Sequence, residues 1–308
     1  MLSLRDIKRR IKSVGGIRQI TRAMEMVAAT KLRRSQQRIE AARPYTEKMD
    51  EILAHLKSSV DVSTVYNPLL IPHETIKIIL ILAVASDKGL CGSFNSNVIR
   101  HTEESIRNAK KEGRSVSLLL VGKKIHDYFR RRKYDILPES ATFRSIDQAL
   151  SLNLLSDITE ICTKAFVSNS VDRVDMIYTE FKSVVSHKVI TRQFLPITGL
   201  TPDNEIPEDT DKTEETDKSA KALDYIFEPE PGKLFSVLIP KYARVMIFRM
   251  LADSLASEHG ARMTGMHSAT DNAGDMIRTL TLHRNKARQA AITKELAEIV
   301  GGAEALKG

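Results

Sequence analysis

The residues best suited to chemistry sit at one strand-to-helix junction, Ser86-Asp87-Lys88-Gly89-Leu90-Cys91-Gly92-Ser93. The junction follows an apolar run over residues 76–85 and precedes a helical pattern over 94–111. Backbone N–H groups at such a place can hold an anion. The segment lacks the G-x-x-x-x-G-K-[ST] spacing of a phosphate loop, and no G-x-G-x-x-G follows a strand. A tight turn that needs two glycines accounts for it equally well. Cys91 as a nucleophile would need a base beside it, and His101 lies more than two helical turns further on. The eight histidines are scattered, and Cys91 and Cys162 do not form a paired-Cys zinc spacing. The acidic stretch 203–230 lacks the alternating Asp or Asn and the central Gly of a calcium loop. These patterns predict a chain with no catalytic residue, no metal and no cofactor of its own.

Charge says more about partners. The 308 residues carry 47 Lys and Arg against 39 Asp and Glu, a net +8. Residues 1–57 hold 14 basic and 6 acidic residues, a balance of +8, whereas 203–230 hold 3 and 11, a balance of −8. Such a split fits nucleic acid, a membrane surface or an acidic protein partner. Residues 1–44 contain no aromatic side chain, and the apolar periodicity runs straight through the basic block, unlike a basic region entering a DNA groove. A solvated or protein-facing cationic face is the better fit. No run approaches the ~20 apolar residues of a membrane span. The start has neither an apolar signal core nor an acid-free transit segment, and two cysteines fit a reducing compartment. A soluble intracellular protein is expected.

The elements that would position these residues are of two kinds. Residues 4–57 predict one helix, with apolar steps of three and four through Leu4, Ile7, Ile11, Val14, Ile17, Ile20, Met24, Val27, Leu32, Ile39, Ala42, Tyr45, Met49, Ile52 and Leu56. Ser3 with Asp6 makes a variant capping box. Gly15-Gly16 is expected to bend the helix or admit a close neighbour, and Pro44 is a second weak point. The run 76–85 reads as a buried parallel strand. Further strands are expected at 115–121, 173–181 and 187–195, and helices at 94–111, 123–132 and 146–168. From about 231 a second long helix continues to 304, with an apolar series that includes Tyr242, Met250, Met266, Ala273, Met276, Leu280 and Ile299. The low aromatic content, 5% with no Trp, also favours helices over a β sandwich. The expected fold class is α/β, a long antiparallel coiled coil of the terminal helices plus a central Rossmann-like domain. The expected division is an N-terminal shaft helix at 1–60, the α/β domain at 75–197, an acidic loop and foot at 198–231, and a C-terminal shaft helix at 232–308.

Several blocks resemble one known family. The segments Leu4-Arg5-Asp6-Ile7-Lys8-Arg9-Arg10-Ile11 and Ile20-Thr21-Arg22-Ala23-Met24-Glu25-Met26-Val27-Ala28-Ala29-Thr30-Lys31-Leu32 are similar to the gamma subunit of F-type ATP synthases. So are Ser86 to Asn95, Ala256-Ser257-Glu258-His259-Gly260-Ala261-Arg262-Met263, and Asn285-Lys286-Ala287-Arg288-Gln289-Ala290-Ala291-Ile292-Thr293-Lys294-Glu295-Leu296. The resemblance spans nearly the whole chain and is weakest at 198–222. It implies a non-catalytic rotor shaft that turns inside a hexamer of alpha and beta subunits. It also implies partnership with epsilon and delta subunits and the c-ring, without membrane insertion or nucleic acid, at the cytoplasmic side of a bacterial inner membrane. Residues matching the family's hexamer contacts, or their supports, are Met24, Arg262, Arg288, Gln289, Thr293, Glu295 and Glu298. Tyr225 and Glu228 match its loop facing the c-ring and epsilon. The regulatory two-cysteine insertion of plant-type members has no counterpart here.

Overall fold

Helix α1 (Leu4–Ser59) starts on the cap that the sequence foresees. The Asp6 amide donates to Ser3 Oγ at 3.2 Å, and Ser3 Oγ donates to the Asp6 carboxylate at 2.7 Å, so an orphan N–H of the first turn is satisfied. The serine hydroxyl is the main cause holding the Asp6 carboxyl below its usual range. The computed structural model describes residues 3–59, 67–143, 152–184, 186–197 and 231–305. Within them α1 is followed by β1 (Ile78–Val84), α2 (Phe94–Lys111), β2 (Ser115–Val121), α3 (Lys123–Arg131), α4 (Leu152–Val167), β3 (Arg173–Phe181), β4 (His187–Leu195) and α5 (Pro231–Ala305). A single 3-10 turn, Pro138–Ala141, lies before α4. At 1.5 Å per residue, α1 and α5 are about 84 and 112 Å long.

The sheet has the order β2-β1-β3-β4; β1 pairs parallel with β2 and β3, and β4 pairs antiparallel with β3. Strand β1 is apolar throughout because it is central and covered on both faces. Strand alternation sorts its side chains into two cores. Ile79, Ile81 and Ala83 face α2 and α3, joined by Val98, Ile106, Ile125 and Phe129. Leu80, Leu82 and Val84 face a larger core that takes Ile158 and Phe166 from α4, Leu53 and Leu56 from α1, and Phe235, Ile239, Ile247 and Leu251 from α5. Sheet and long helices therefore share one continuous core.

Cross-helix contacts fix how the long helices run. Asp50 meets Tyr242, Glu25 meets His267, Thr21 meets Thr270, and Arg18 lies against Gly274. Each step down α1 is matched by a step up α5, so the pair is antiparallel. The α1 side of the interface repeats every seven residues: Ile7, Val14, Thr21, Ala28, Ser35, Ala42, Met49 and Leu56 are all buried or half-buried. A strict seven-residue repeat gives a left-handed supercoil.

This register corrects part of the expected seam. Ile17, Ile20, Val27 and Tyr45 on α1, and Met276 and Ile299 on α5, are exposed; Ile20 is 62% and Val27 58% accessible. The middle of the interface uses Thr21, Ala28 and Ser35 beside Leu32, the one large residue of this stretch that the periodicity read from sequence also places in the seam and that is buried. No close neighbour stands at Gly15 or Gly16: a Cβ at either would meet nothing within 4 Å, and the helix continues through both. It runs through Pro44 as well.

Candidate partner-contact surfaces

Three surfaces gather the residues singled out by sequence. The first is mid-shaft. Met24 is half-buried beside the seam, next to Thr21 and Glu25, which face α5. Thr270 Oγ1 donates to Thr21 Oγ1 at 2.8 Å, and His267 Nδ1 lies 3.0 Å from the Glu25 carboxylate. Around Met24 the outward faces carry exposed Ile17, Ile20, Met26 and Val27. That is an apolar girdle on a helix whose remaining surface is basic. Large exposed apolar side chains clustered on one element mark an interaction site. Sequence analysis missed this girdle because it assigned Ile17, Ile20 and Val27 to the seam; counting the Thr21-Ala28-Ser35-Ala42 heptad would have found it.

The second surface is the end of α5. The seam on α5 runs through Met266, Thr270, Ala273, Ile277, Leu280, Arg284 and Ala287, and ends where α1 begins. Residues 288–303 are all exposed, on a single helix that outruns its partner by about 25 Å. At 100° per residue, Ile292, Leu296, Ile299 and Val300 form one apolar stripe. Gln289 lies within that stripe, and Arg288 and Thr293 flank it. Glu295 sits beyond Arg288. Glu298 is on the far side, 3.5 Å from Lys294 in an exposed ion pair. Thr293 Oγ1 donates back to the Gln289 carbonyl at 3.0 Å. Tyr225 and Glu228 lie outside the described residues.

The third surface is the junction loop 86–93, which packs on α5. Arg262 is mostly buried. Its Nη1 is 2.7 Å from Glu258 Oε1, and its Nη2 points at the carbonyls of Lys88 and Gly89, 3.4 Å from each. Cys91 is buried with Phe94 and Ala261. Nothing about Cys91 resembles an activated nucleophile: it lies among Ser86 Oγ, Asn95 Nδ2 and the Lys88 carbonyl, with no acid or histidine. The loop presents the Lys88 and Gly89 carbonyls to the Arg262 guanidinium.

Electrostatics concentrate where sheet meets shaft. Burial raises the Asp253 carboxyl to about 7, opposed by Arg249 and Arg192 and reinforced by Glu180. Burial and the adjacent Asp50 push the Tyr242 hydroxyl to about 12. One open cleft of about 990 Å³ is lined by Leu69, Ile161, Ala165, Val167 and Pro240, with Glu139, Glu160, Lys164 and Arg244 among its polar residues. Among the described residues no group of three His, Cys, Asp or Glu could hold a metal ion, and no helix is long and apolar enough to cross a membrane. What the geometry offers is surfaces for other proteins.

Comparison with known proteins decides the family. The ATP synthase family (ATP-synt) matches residues 3–306. The chain is 42% identical to the ATP synthase gamma chain of Chloroherpeton thalassium, over all of this chain and 99% of that one. This chain belongs to the ATP synthase gamma chain family. The gamma chain of Gloeothece citriformis is 41% identical over 99% of this chain and all of its own length. Among solved structures, a chain of the Euglena gracilis mitochondrial ATP synthase, from an assembly described as OSCP/F1/c-ring, superposes with a TM-score of 0.62 at 18% identity. It covers 98% of this chain and 94% of its own, and shares the fold of paired long helices around a small sheet. The expected fold class stands.

Proposed function

We propose that this chain is the central rotor shaft of an F-type ATP synthase, passing rotation of a c-ring to the catalytic sites of beta subunits while performing no chemistry itself. The observation that carries the reading is the heptad register. It consumes small residues on the inside of the α1–α5 pair and leaves Ile17, Ile20, Met26 and Val27 outside. A shaft needs torsional stiffness, supplied by the supercoil and the core it shares with the sheet. It also needs a surface that slides within its sleeve. Apolar side chains and the slim alanine-rich tip offer few directional bonds to break at each step.

In this reading Met24, Arg288, Gln289, Thr293, Glu295 and Glu298 meet the alpha and beta hexamer, and Arg262 supports that contact from behind. Tyr225 and Glu228 meet the c-ring and epsilon. The chain works in four parts: 1–60 and 232–308 as shaft, 75–197 as the protruding domain, and 198–231 as loop and foot. It sits peripherally on the cytoplasmic face of a bacterial membrane, alongside a delta subunit, and binds neither nucleotide nor nucleic acid. The deciding experiment is affinity purification of a tagged chain from its own host. Alpha, beta and epsilon subunits should accompany it in a proton-pumping ATPase, and a chain that purifies alone would refute the reading. Within that complex, Met24→Lys places a cation among apolar contacts. It should lower the protons pumped per ATP hydrolysed with assembly retained, and unchanged pumping would remove Met24 from the contact set.

A further inference from the structure

The loop 86–93 is held in a conformation it would not choose alone. Leu90 adopts φ 63° and Gly92 φ 56°; the first is a left-handed conformation costly for a bulky L residue. Leu90 nonetheless points outward, 64% accessible, so its own side chain does not stabilise the turn. The restraint comes from behind. The Lys88 carbonyl accepts from Ser86 Oγ at 2.6 Å, from Asn95 Nδ2 at 3.4 Å and from Arg262 Nη2 at 3.4 Å. Asn95 is fixed in turn by the Ser86 amide, which donates to its Oδ1 at 3.0 Å. Helix α5 passes close to the loop at Gly265, where an added Cβ would make ordinary van der Waals contact with the Gly92 nitrogen at 3.5 Å. The nearly buried Glu258 carboxylate neutralises Arg262 and aims the guanidinium fork at the loop.

We propose that Arg262 is a positioning residue: with Glu258 it clamps the loop from α5, so that the exposed Lys88–Leu90 tip keeps a fixed direction relative to the shaft. The loop leads directly out of the central strand β1, so the clamp ties the tip to sheet and shaft at once. Load applied at the tip is then carried by both. This rests on the rotor reading; the clamp itself is a property of the chain alone.

The test places a nitroxide on the tip through Leu90→Cys in the full chain. Cys91 and Cys162 are buried and stay unlabelled. Two further variants are compared in that background. Arg262→Lys keeps a charge opposite Glu258, but one ammonium cannot serve the carboxylate and both carbonyls together. Glu258→Gln with Arg262→Gln removes both charges, leaving no lone buried one. In both, the mobile component of the spectrum should grow at least about tenfold, as loss of two hydrogen bonds from a charged donor implies. In the assembled complex the same variants should lose protons pumped per ATP while hydrolysis continues. Unchanged spectra overturn the clamp, and a mobile tip with unchanged pumping overturns its positioning role. If the unmodified chain fails to assemble with alpha and beta subunits, the rotor reading falls instead, and the spectra still decide the clamp.

Discussion

Single residues here act mostly on the chain's own fold, and two make sharp tests. Gly122 ends β2 with φ 102°, and a Cβ there would lie 2.0 Å from the Ala85 carbonyl oxygen. The backbone cannot retreat, because Ala85 N donates to Val121 O and Gly122 N donates to Phe143 O. Gly122→Ala should therefore cost about 3 kcal/mol or more in urea unfolding; a loss under half of that would mean the strand ends can shift. Asp253 gives the second test. Its carboxyl is raised from 3.8 to about 7, first by burial. The folded chain thus holds a proton that the unfolded chain releases, and stability should fall as pH rises between those values. Asp253→Asn should flatten that part of the profile, measured as unfolding free energy against pH. Neither residue stood out in sequence: one glycine of 14 and one acid of 39 become special only through neighbours distant along the chain.

At the scale of elements, the long helices were legible in extent and illegible in facing. Their lengths follow from unbroken periodicity and a cap, which are local properties. Which stripe of α1 turns inward is set by its register against α5, which places Thr21 opposite Thr270 and buries Ala28 and Ser35. The same logic explains the α5 tip. Its Ile292, Leu296 and Ile299 continue an apolar pattern, yet nothing among the described residues lies opposite, because α1 has already ended. Tip residues consequently contribute little to the fold and are free to serve a partner. Arg288→Ala with Gln289→Ala should leave the melting temperature of the isolated chain within about 2 °C, since exposed positions shift stability little. The same pair should lower ATPase turnover of the assembled complex. A large fall in melting temperature would return these residues to structural duty, and full turnover would make them ordinary surface.

For the whole molecule, stability is graded along the shaft. The core around Leu53, Leu56, Phe235, Ile247 and Leu251 joins sheet, α4 and both long helices. Away from the sheet the pair has only its own narrow seam, and past 288 α5 has none. Exposed ion pairs such as Arg9–Asp6 and Arg278–Asp275 add little to the far end. Native-state hydrogen exchange should therefore show protection highest near 243–257, falling through 265–285 and lowest at 288–305, with α1 weakest near residues 4–20. Uniform protection along α5 would contradict this gradient. A shaft rigid where it joins the sheet and thin where it enters a sleeve suits the proposed rotation.

The sequence alone determined the order and kind of elements, the absence of a recognisable catalytic motif, and the family resemblance carried by blocks from both ends and the centre. Those depend on short-range patterns: caps, periodicity and fixed residue spacing. Only the tertiary structure decided which apolar residues form the core and which form a girdle, where α5 outruns α1, and that Arg262 reaches back to the 86–93 loop. Each of those depends on the register between segments more than 150 residues apart. A periodic helix leaves that register open until its partner's side chains fill the gaps.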